Sequence, residues 1–356
     1  MQLYMPTKVY SEKECIKNHA KEIASLGKKA MVVTGKQSAR KCGALQDMED
    51  ALQQENITYV IFDEIEENPS IETVMKAREF GVCEKVDFVI GIGGGSPLDA
   101  AKAIAMMIAN PGLGEEVLYE ASELENLPII CVPTTCGTGS EVTPYAILTI
   151  HKQRTKKSIS HRIYPNLALL DAKYLKSMSR EGLVNTAVDA LAHLLESYLN
   201  TNADELNRIY SREGLSIWKE FKKRLLDDSL LEKDYATMLH ASMVAGMAIT
   251  HTGTSLPHGL SYQVTYELGV PHGKAVGIFL GGFVEGYQNK EEVAEILSLL
   301  DFESTGAFRK YMTELLGEVV VSEELMKENV QNLLENPAKL KNYPFAITEK
   351  ELMEMV

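Results

Sequence analysis

The sequence predicts an α/β domain over residues 1–175 followed by an all-helical domain over residues 176–356. Three observations support this division. Short β-rich runs alternate with helical runs in the first half, which is typical of a mostly parallel sheet with helices on both faces. A glycine-rich turn follows one of the apolar strand runs. After about Asp171, apolar residues recur at helical spacing and no clear strand pattern interrupts them.

The individual elements can be assigned from periodicity and turn residues. The first half is predicted to contain strands at 29–34, 57–62, 85–90 and 127–132 and helices at 39–54, 71–82 and 103–108. The second half is predicted to contain helices at 180–200, 205–226, 233–251, 256–268, 273–287 and 290–300. With 356 residues, the chain is long enough for each domain to bury its own core.

Composition excludes several classes of protein. A formal charge of −14 argues against nucleic acid or an anionic membrane as a partner, because both select for positive surfaces. No run of 18 apolar residues is present, and the N-terminus lacks the pattern of a signal peptide. The five cysteines are scattered and fit neither a disulfide framework nor a Cys-x-x-Cys metal site. We therefore expect a reduced, cytoplasmic protein.

A glycine-rich loop follows the predicted strand at 85–90 and precedes a helix. Its run, Gly91-Ile-Gly-Gly94-Gly95-Ser96-Pro97-Leu-Asp99, has the order of strand, glycine turn and helix start that a phosphate cradle requires. Ser96 is predicted as the N-cap, Pro97 as the first helical residue, and Asp99 as the partner in a capping box. Helix capping alone is the alternative to a cofactor role for Ser96 and Asp99.

A second polar loop follows the predicted strand at 127–132. The segment from Pro133 to Thr143 contains Thr134, Thr135 and Thr138 together with two glycines, which make a polar edge with little bulk. An ordinary hydrogen-bonded turn is one interpretation. Because the loop follows the glycine-rich unit in a β/α series, a second wall of the same nucleotide crevice is the preferred prediction.

The helical half contains a candidate metal site. Asp189 and His193 are four residues apart in a helical run, so they share one face. His258 and His272 each precede a glycine, and these small neighbours are expected to leave the imidazoles unobstructed. One carboxylate and three imidazoles suit divalent iron or zinc with a position open for substrate. A buried core histidine and an interior hydrogen-bond acceptor are the alternatives for the first pair.

Taken together and in this order, the motifs resemble those of the iron-containing (group III) alcohol dehydrogenase family. The resemblance runs from about Tyr4 to about Phe345 and is strongest to the branch of 1,3-propanediol, butanol and 4-hydroxybutyrate dehydrogenases. It implies a dehydroquinate-synthase-like fold with the cofactor in a cleft between the domains, and a homodimer or larger assembly. It also implies a set of ligands for Fe²⁺, or for Zn²⁺ in some members: Asp189, His193, His258 and His272.

The same resemblance implies contacts to a nicotinamide cofactor. The matching residues form three sets: Gly94, Gly95, Ser96 and Asp99 in the pyrophosphate loop, Thr134, Thr135 and Thr138 in the second loop, and Asn68 and Lys157 on the ribose side. Lys157 also has a plain alternative, a solvated charge in the basic run 152–157.

The residues after the first main strand bear on the choice between NAD(H) and NADP(H). NAD-preferring members usually place an acidic residue there, which binds the ribose 2′-hydroxyl and repels a 2′-phosphate. This chain has Gly35 at that point, with Lys36, Ser38 and Arg40 nearby. The pattern predicts NADP(H), although these charges could also belong to a solvated helix start, which leaves NAD(H) open.

The predicted activity is hydride transfer between NADP(H) or NAD(H) and a small primary alcohol, diol or aldehyde. Tyr262 stands where many family members have a second histidine, so it is either a proton relay or a packing aromatic. A non-redox lyase or cyclase similar to dehydroquinate synthase is one alternative, but the helical half shows no basic cluster for a phosphorylated substrate. A binding or sensor protein that has kept only the dinucleotide site is the other.

Overall fold

The computed structural model describes residues 3–153, 155–335 and 337–356. The chain divides into two compact units, each described separately below. The sheet unit consists of Met5–Thr135 and Gly139–Ser177. The helical unit consists of Cys136–Thr138 and Met178–Val356, together with Leu3 and Tyr4. The short segment Cys136–Thr138 of the threonine-rich loop therefore belongs to the helical unit.

Six strands of the sheet unit form one parallel sheet in the order β1-β8-β5-β4-β2-β3, and β6 and β7 form an antiparallel hairpin. In chain order the strands are β1 (Lys8–Ser11), β2 (Lys29–Thr34), β3 (Thr58–Phe62), β4 (Phe88–Gly93), β5 (Ile129–Pro133), β6 (Ile147–Ile150), β7 (Thr155–Ser158) and β8 (Leu167–Leu170). Because β2 pairs with both β3 and β4, the strand order reverses direction between β2 and β4. Ligands of open α/β sheets bind beyond the carboxyl ends of strands at such a point.

Helices cover both faces of this sheet. They are α1 (Cys15–Asn18), α2 (Ala20–Ala24), α3 (Ser38–Lys41), α4 (Ala44–Gln54), α5 (Ile71–Glu84) and α6 (Gly95–Ala109). Alternate residues of β2 contribute to two separate apolar cores, since Met31 and Val33 pack with α6 whereas Ala30 and Val32 pack with α4. This alternation follows from the two-residue period of a strand, and it holds α6 firmly beneath the glycine-rich loop.

The helical unit contains the remaining helices. They are α7 (Arg180–Tyr198), α8 (Arg208–Leu226), α9 (Glu232–Thr252), α10 (Leu256–Leu268), α11 (His272–Gly277), α12 (Leu280–Gly286), α13 (Lys290–Leu300), α14 (Thr305–Leu316), α15 (Glu323–Glu335), α16 (Pro337–Leu340) and α17 (Glu349–Met353). Every residue of α7 from Ala187 to Tyr198 is buried, so this helix forms the centre of the unit.

The observed elements confirm the predicted fold class, with differences in detail. Strand 29–34 and helices 256–268 and 290–300 have the predicted bounds. The predicted helix 39–54 is divided at Gly43, whose φ of 86° is incompatible with a continuous helix, and helix 273–287 is divided into α11 and α12. Strands β1, β6, β7 and β8 were not predicted. Across the ranges that the structure describes, no strand follows β8, and no helix has the length and apolar content that crossing a membrane would need.

Candidate metal centre and nucleotide loops

Three helices of the helical unit position the four candidate metal ligands. Helix α7 begins at a well-formed cap, in which the Ser179 hydroxyl accepts a hydrogen bond from the Gly182 N–H at 3.1 Å. Asp189 and His193 then lie one turn apart on the same face of α7. His258 lies in the first turn of α10, and His272 is the first residue of α11.

The four side chains converge on one oxygen atom. The distances from Asp189 Oδ1 to the Nε2 atoms are 3.3 Å for His258, 3.8 Å for His193 and 3.8 Å for His272. The imidazoles of His193 and His258 are stacked, with ring centroids 4.6 Å apart. The structure therefore brings together all four residues that the sequence singled out.

Two atoms at the centre of this cluster are buried and have no hydrogen-bond partner in the described part of the chain: Asp189 Oδ1 and His258 Nε2. Burying polar atoms in this way costs free energy unless something else satisfies them. Ligand atoms about 2.1 Å from one tetrahedral cation would be roughly 3.4 Å apart, which matches the observed separations. The candidate ligand atoms of Asp189, His258 and His272 all lie within 4.8 Å of one another. The residues present fit a divalent cation.

The cluster is more exposed on one side than on the others. The His272 side chain is 35% exposed, whereas those of Asp189, His193 and His258 are 6%, 8% and 4% exposed. Three candidate ligands are thus buried, and the fourth, His272, lies where small molecules can approach.

Glu196 holds one of the candidate ligands, His258, in position. Glu196 was not identified in the sequence analysis. Its fully buried carboxylate accepts hydrogen bonds from His258 Nδ1, from the His258 backbone N–H at 3.1 Å and from the Ser255 N–H at 2.8 Å. Similarly, His193 Nδ1 donates to the Gly137 carbonyl at 3.3 Å. Because both Nδ1 atoms have acceptors, the two Nε2 atoms facing Asp189 are the ones that can donate an electron pair to a cation, once its binding displaces any proton held there. The available signal was a carboxylate seven residues after Asp189, in the mainly apolar stretch 187–198 of the same helix.

The charges of the cluster perturb one another strongly. Burial alone would raise the pKa of the Asp189 carboxyl group, but the neighbouring imidazoles outweigh it and hold that pKa below its ordinary value. Burial lowers the pKa of His193. Burial also acts to lower the pKa of His258, yet the carboxylates of Glu196 and Asp189 prevail and raise it to about 10. Burial likewise acts to raise the pKa of the Glu196 carboxyl group, but His258 outweighs it and holds that pKa below its ordinary value. Both carboxylates are therefore held ionised, as a cation site requires.

Glycines next to the cluster set the helix spacing. A Cβ atom at Gly273 would lie only 1.8 Å from the carbonyl oxygen of Asn185 in α7, and one at Gly137 would lie 2.9 Å from that of Thr186. At Gly259, a Cβ would come within 2.8 Å of Leu333. We expected the glycines after His258 and His272 to leave the imidazoles unobstructed. The structure shows a further effect of these glycines, which is that they allow neighbouring helices and segments to approach closely.

Tyr262 and Lys339 lie beside the exposed ligand. The Tyr262 ring is stacked on the His272 ring, with a centroid separation of 6.0 Å and an interplanar angle of 8°. The Lys339 ammonium lies 5.9 Å from the Tyr262 ring centroid and donates a hydrogen bond to Thr254 Oγ1. Lys339 was not identified from the sequence, because 77 residues separate it from Tyr262.

The glycine-rich loop occupies the carboxyl end of β4 in the sheet unit. Gly93 has a φ of 153°, and a Cβ there would overlap the Pro97 ring at 2.6 Å. A Cβ at Gly94 would lie 3.1 Å from the Thr135 side chain, and the Thr134 N–H donates to the Gly93 carbonyl at 2.9 Å. The predicted pyrophosphate loop therefore lies directly against the first two threonines of the second loop.

The capping prediction for this loop is wrong. Helix α6 begins at Gly95 after the N-cap Gly94, so Ser96 and Pro97 lie inside the first turn and no side chain caps the helix. Asp99 instead accepts hydrogen bonds from Ser140 Oγ at 2.5 Å and from the Ile147 N–H at 2.9 Å.

A buried lysine completes this network. Lys102 is fully buried, and its ammonium donates to Ser140 Oγ at 2.8 Å and to the Tyr145 carbonyl at 2.7 Å, with Asp99 Oδ1 at 3.4 Å. Asp99 and Lys102 thus join α6 to the segment that follows the threonine-rich loop. Glu141, in that segment, is also buried, and burial raises the pKa of its carboxyl group to about 7.

Asn68 connects the glycine-rich loop to the β6–β7 hairpin. Its backbone N–H donates to Ser96 Oγ at 3.0 Å, and its side-chain oxygen accepts from the Lys156 ammonium at 2.7 Å. Lys157, the lysine matched to the ribose side, lies 5.1 Å from the Tyr119 ring centroid instead. Neighbouring strand residues point to opposite faces, so Lys156 and not Lys157 shares a face with Asn68.

Gly35 and Lys36 follow the carboxyl end of β2, and Ser38 is the first residue of α3. The side chains of Lys36 and Ser38 are exposed. Arg40 forms an exposed ion pair with Asp63 at 3.1 Å. These residues lie at the switch point of the sheet, together with the glycine-rich loop, because β2 and β4 are adjacent.

A doubly wound sheet with nucleotide-type loops, and a helical unit with a His₃Asp cluster, define a class of metal-dependent, dinucleotide-binding oxidoreductases. The family model described as iron-containing alcohol dehydrogenase matches residues 6–172, and the model of the C-terminal part of that family matches residues 183–344. The chain belongs to the iron-containing alcohol dehydrogenase family. This confirms the family and the dehydroquinate-synthase-like fold that the motifs predicted.

Solved structures and curated sequences agree with this assignment. An iron-containing alcohol dehydrogenase from Thermotoga maritima is 38% identical, with a TM-score of 0.90 over 99% of this chain and 98% of that one. Alcohol dehydrogenase 4 of Schizosaccharomyces pombe is 28% identical over 78% of this chain and 66% of its own length. A mitochondrial hydroxyacid-oxoacid transhydrogenase of Caenorhabditis briggsae is 33% identical over 69% and 59%, respectively. The chain spans about three fifths to two thirds of the length of these two curated relatives.

Proposed function

We propose that the protein is a metal-dependent alcohol dehydrogenase or aldehyde reductase. The reaction interconverts a small primary alcohol or diol plus NAD(P)⁺ with the aldehyde plus NAD(P)H and a proton. The observation that carries this proposal is the convergence of three imidazole Nε2 atoms on Asp189 Oδ1, with two buried atoms left without partners, in a chain of this family.

In the proposed site, Asp189, His193, His258 and His272 hold Fe²⁺ or Zn²⁺. Such an ion, when bound, supplies Lewis acidity toward the oxygen of the substrate. Glu196 and Gly137 fix the imidazole tautomers, so that the ligands are oriented before any ion arrives. The exposed side near His272 admits the substrate, and the Tyr262 hydroxyl is the proposed group that passes a proton to or from it.

The nicotinamide cofactor is proposed to bind the loops of the sheet unit. Gly94, Gly95 and Ser96 at the start of α6 offer backbone N–H groups to the pyrophosphate, since α6 is a long helix with no side-chain cap. Contacts from Thr134, Thr135, Thr138, Asn68 and Lys157 also remain proposals. For Asp99 we propose an indirect role, because its carboxylate already has partners in Ser140 and Ile147.

We propose NADP(H) as the preferred cofactor. Gly35 leaves room next to the ribose position, and the exposed Lys36 and Ser38 can donate hydrogen bonds to a 2′-phosphate. No acidic residue occupies this loop between β2 and α3, all of which the structure describes.

The two alternatives are less well supported. The family assignment favours a dehydrogenase over a lyase or cyclase. A binding protein without catalysis would have no need for four converging ligands around two unsatisfied buried atoms.

The deciding experiment is a turnover panel of short aldehydes and diols with both cofactors, on protein loaded with iron or with zinc. We expect oxidation of NADPH with butanal that depends on the metal. Full activity in metal-free protein would contradict the proposed role of the cluster. Absence of any redox turnover with every aldehyde and alcohol would contradict the function itself.

We also propose a reducing, cytoplasmic location and a homodimer or larger assembly. None of the five cysteines, all of which the structure describes, is joined in a disulfide, which supports the first proposal. Light scattering of the purified protein will test the second, and a purely monomeric mass would contradict it.

A further inference from the structure

The threonine-rich loop that follows β5 is divided between the two compact units. Thr134 and Thr135 belong to the sheet unit, whereas Cys136–Thr138 belongs to the helical unit. Two of the proposed cofactor contacts thus come just before this three-residue segment, and the third, Thr138, is its last residue. What holds the segment on the helical unit therefore also affects how firmly the threonines are held.

One face of α7 holds the segment Cys136–Thr138. Thr186, Asp189 and His193 share this face, because they are three and four residues apart. Cys136 Sγ lies 3.3 Å from Thr186 Oγ1. Two turns further along α7, His193 Nδ1 donates a hydrogen bond to the Gly137 carbonyl at 3.3 Å. The imidazole whose Nε2 is proposed to bind the cation thus holds the loop through its other nitrogen.

The segment is packed directly on the backbone of α7. A Cβ at Gly137 would lie 2.9 Å from the Thr186 carbonyl oxygen and 3.0 Å from the Thr186 Cα, so even a methyl group would force the loop away from the helix. The Thr186 hydroxyl donates to the Gly182 carbonyl at 2.9 Å. Because a threonine hydroxyl has one hydrogen, Thr186 Oγ1 accepts from the thiol of the fully buried Cys136.

The sheet unit holds the first two threonines of the loop just as closely. The Thr134 N–H donates to the Gly93 carbonyl at 2.9 Å, and a Cβ at Gly94 would lie 3.1 Å from the Thr135 side chain. The next residue along the chain already belongs to the segment held by α7. Ordering of the threonines by a bound cofactor is therefore expected to restrict that segment as well.

We propose that Gly137 and Thr186 are positioning residues that couple cation binding to cofactor binding. This inference rests on the proposed function. At 3.3 Å, the bond from His193 Nδ1 to the Gly137 carbonyl is slightly longer than the usual N–H···O range of about 2.7–3.2 Å, so it has scope to strengthen. Polarisation of the imidazole by a cation at Nε2 makes its Nδ1–H a stronger donor.

A stronger bond to Gly137 holds the loop more firmly. Less conformational entropy then remains to be lost when the cofactor orders the threonines, so the cofactor binds more tightly. Because coupling between two binding sites is reciprocal, the cofactor raises the affinity for the cation by the same factor.

The test measures the Kd of NADPH and of NADH, from the change in cofactor fluorescence, for metal-free and Zn²⁺-loaded protein without substrate. For the cofactor that binds more tightly, Zn²⁺ is expected to lower the Kd about fivefold or more in the wild type. That cofactor is expected to lower the Kd for Zn²⁺ by an equal factor, measured in competition with a chelator. A wild type in which the Kd of each ligand is independent of the other would overturn the inference.

Two substitutions distinguish coupling through the loop from a direct effect of the ion on the cofactor. Gly137→Ala forces the carbonyl away from His193, so the Kd of the cofactor is expected to become nearly independent of Zn²⁺. Thr186→Val removes the hydroxyl that accepts from Cys136, and it is expected to reduce the coupling factor about twofold or more, the effect of one hydrogen bond. A wild-type coupling factor in Gly137→Ala would overturn the inference. If Gly137→Ala does not fold, the same result in Thr186→Val would do so.

Two matched controls make the same chemical changes elsewhere. In Gly112→Ala, the added Cβ meets nothing within 4 Å. Thr313→Val changes an exposed threonine of α14, whose hydroxyl donates at 3.1 Å to the carbonyl of the residue four positions earlier. Both controls should keep the wild-type coupling factor. A purely structural role of Gly137 or Thr186 would change the Kd of the cofactor equally with and without Zn²⁺, and would overturn the inference.

A second measurement follows the loop itself. Zn²⁺ is expected to slow hydrogen exchange in the peptide 133–143 of the wild type without cofactor, but not in Gly137→Ala. Equal exchange in the wild type with and without Zn²⁺ would contradict the inference. Reduction of butanal by a wild type whose cofactor Kd is independent of Zn²⁺ overturns the inference and leaves the proposed function standing. Absence of binding of both cofactors refutes that function and this inference with it.

Discussion

His258 Nε2 lies 3.3 Å from Asp189 Oδ1, and within the described residues neither atom has a hydrogen-bond partner. Two buried groups that can each donate an electron pair would repel or share a proton unless a cation lay between them. Both side chains are buried, and rotation of the His258 ring would break its hydrogen bond to Glu196.

His258→Ala is expected to remove metal and activity together. The substitution deletes one of the four candidate ligands. The three that remain are expected to bind Fe²⁺ or Zn²⁺ more weakly. Metal content by atomic emission, measured beside NADPH oxidation, tests this. His240→Ala is the matched control, because His240 is exposed on α9. Wild-type metal content in His258→Ala would contradict the assignment.

Glu196→Gln is expected to weaken metal binding about 10- to 100-fold while the fold survives. Gln keeps the size of the side chain, but it removes the charge that accepts a hydrogen bond from His258 Nδ1. Competition with a chelator gives the affinity directly. Glu181→Gln, at an exposed position of the same helix, serves as the comparison. An unchanged affinity would show that Glu196 only caps α10.

Gly35→Asp is expected to shift cofactor preference toward NAD(H). Gly35 is not among the described glycines with a positive φ, and a Cβ there would lie 3.1 Å from the Ile65 carbonyl oxygen, so a side chain needs only a small adjustment. The carboxylate would repel a 2′-phosphate and accept a hydrogen bond from a 2′-hydroxyl. We expect kcat/KM for NADPH to fall at least tenfold relative to NADH. Gly35→Ala controls for the effect of the added Cβ. An equal fall in kcat/KM with both cofactors in Gly35→Asp would disprove the proposal that Gly35 lies next to the ribose 2′ position.

Glu141→Gln is expected to change the pH dependence of stability. Burial raises the pKa of this carboxyl group from about 4.5 to about 7, so the folded state holds the proton more tightly than the unfolded state. The wild type therefore loses stability as the pH rises from about 4.5 to 7, by up to about 3 kcal/mol, whereas Gln does not titrate. The Tm of Glu141→Gln relative to the wild type should be higher at pH 8 than at pH 5. A difference that is constant with pH would refute the raised pKa.

Lys102→Met is expected to destabilise the sheet unit by roughly 3–5 kcal/mol, because it leaves Asp99 without its buried cationic neighbour. The unfolding midpoint in urea measures this loss. Lys152→Met is a suitable control, since Lys152 forms only an exposed ion pair with Glu115. If the segment after the second loop also supports cofactor binding, the Kd for NADPH will rise in Lys102→Met under conditions where the protein remains folded.

Sequence patterns were sufficient for the parts of the site that depend on local spacing. Asp189 and His193 share a helix face because of their four-residue separation, and the glycine-rich loop is recognisable from its position between strand and helix. Contacts between residues far apart in the sequence could not be predicted from local spacing. The contacts of Lys102 with residues about 40 positions away, and of Lys339 with Tyr262, depend on how helices and loops pack.

Some strands and helix boundaries were not predicted correctly, because the local residues fit more than one type of structure. Strands β6 and β7 are four residues each and belong to a small hairpin, and β7 (Thr155–Ser158) has no apolar alternation. The helix over 39–54 was predicted as continuous because its apolar period runs through Gly43, which the backbone uses as a left-handed break. Ser96 and Pro97 fit the preferences of a helix start, but the first turn begins one residue earlier, at Gly95.

Gly137 and Gly273 approach adjacent carbonyl groups of α7, those of Thr186 and Asn185, about one turn before Asp189. Two backbone segments therefore approach the helix that carries two of the ligands so closely that they leave no space for a methyl group at either glycine. Ions whose bonds to nitrogen and oxygen differ by a tenth of an ångström would then meet a cage with little ability to expand or shrink. The choice among metals would then depend in part on Gly137 and Gly273, two residues without side chains that are not ligands themselves.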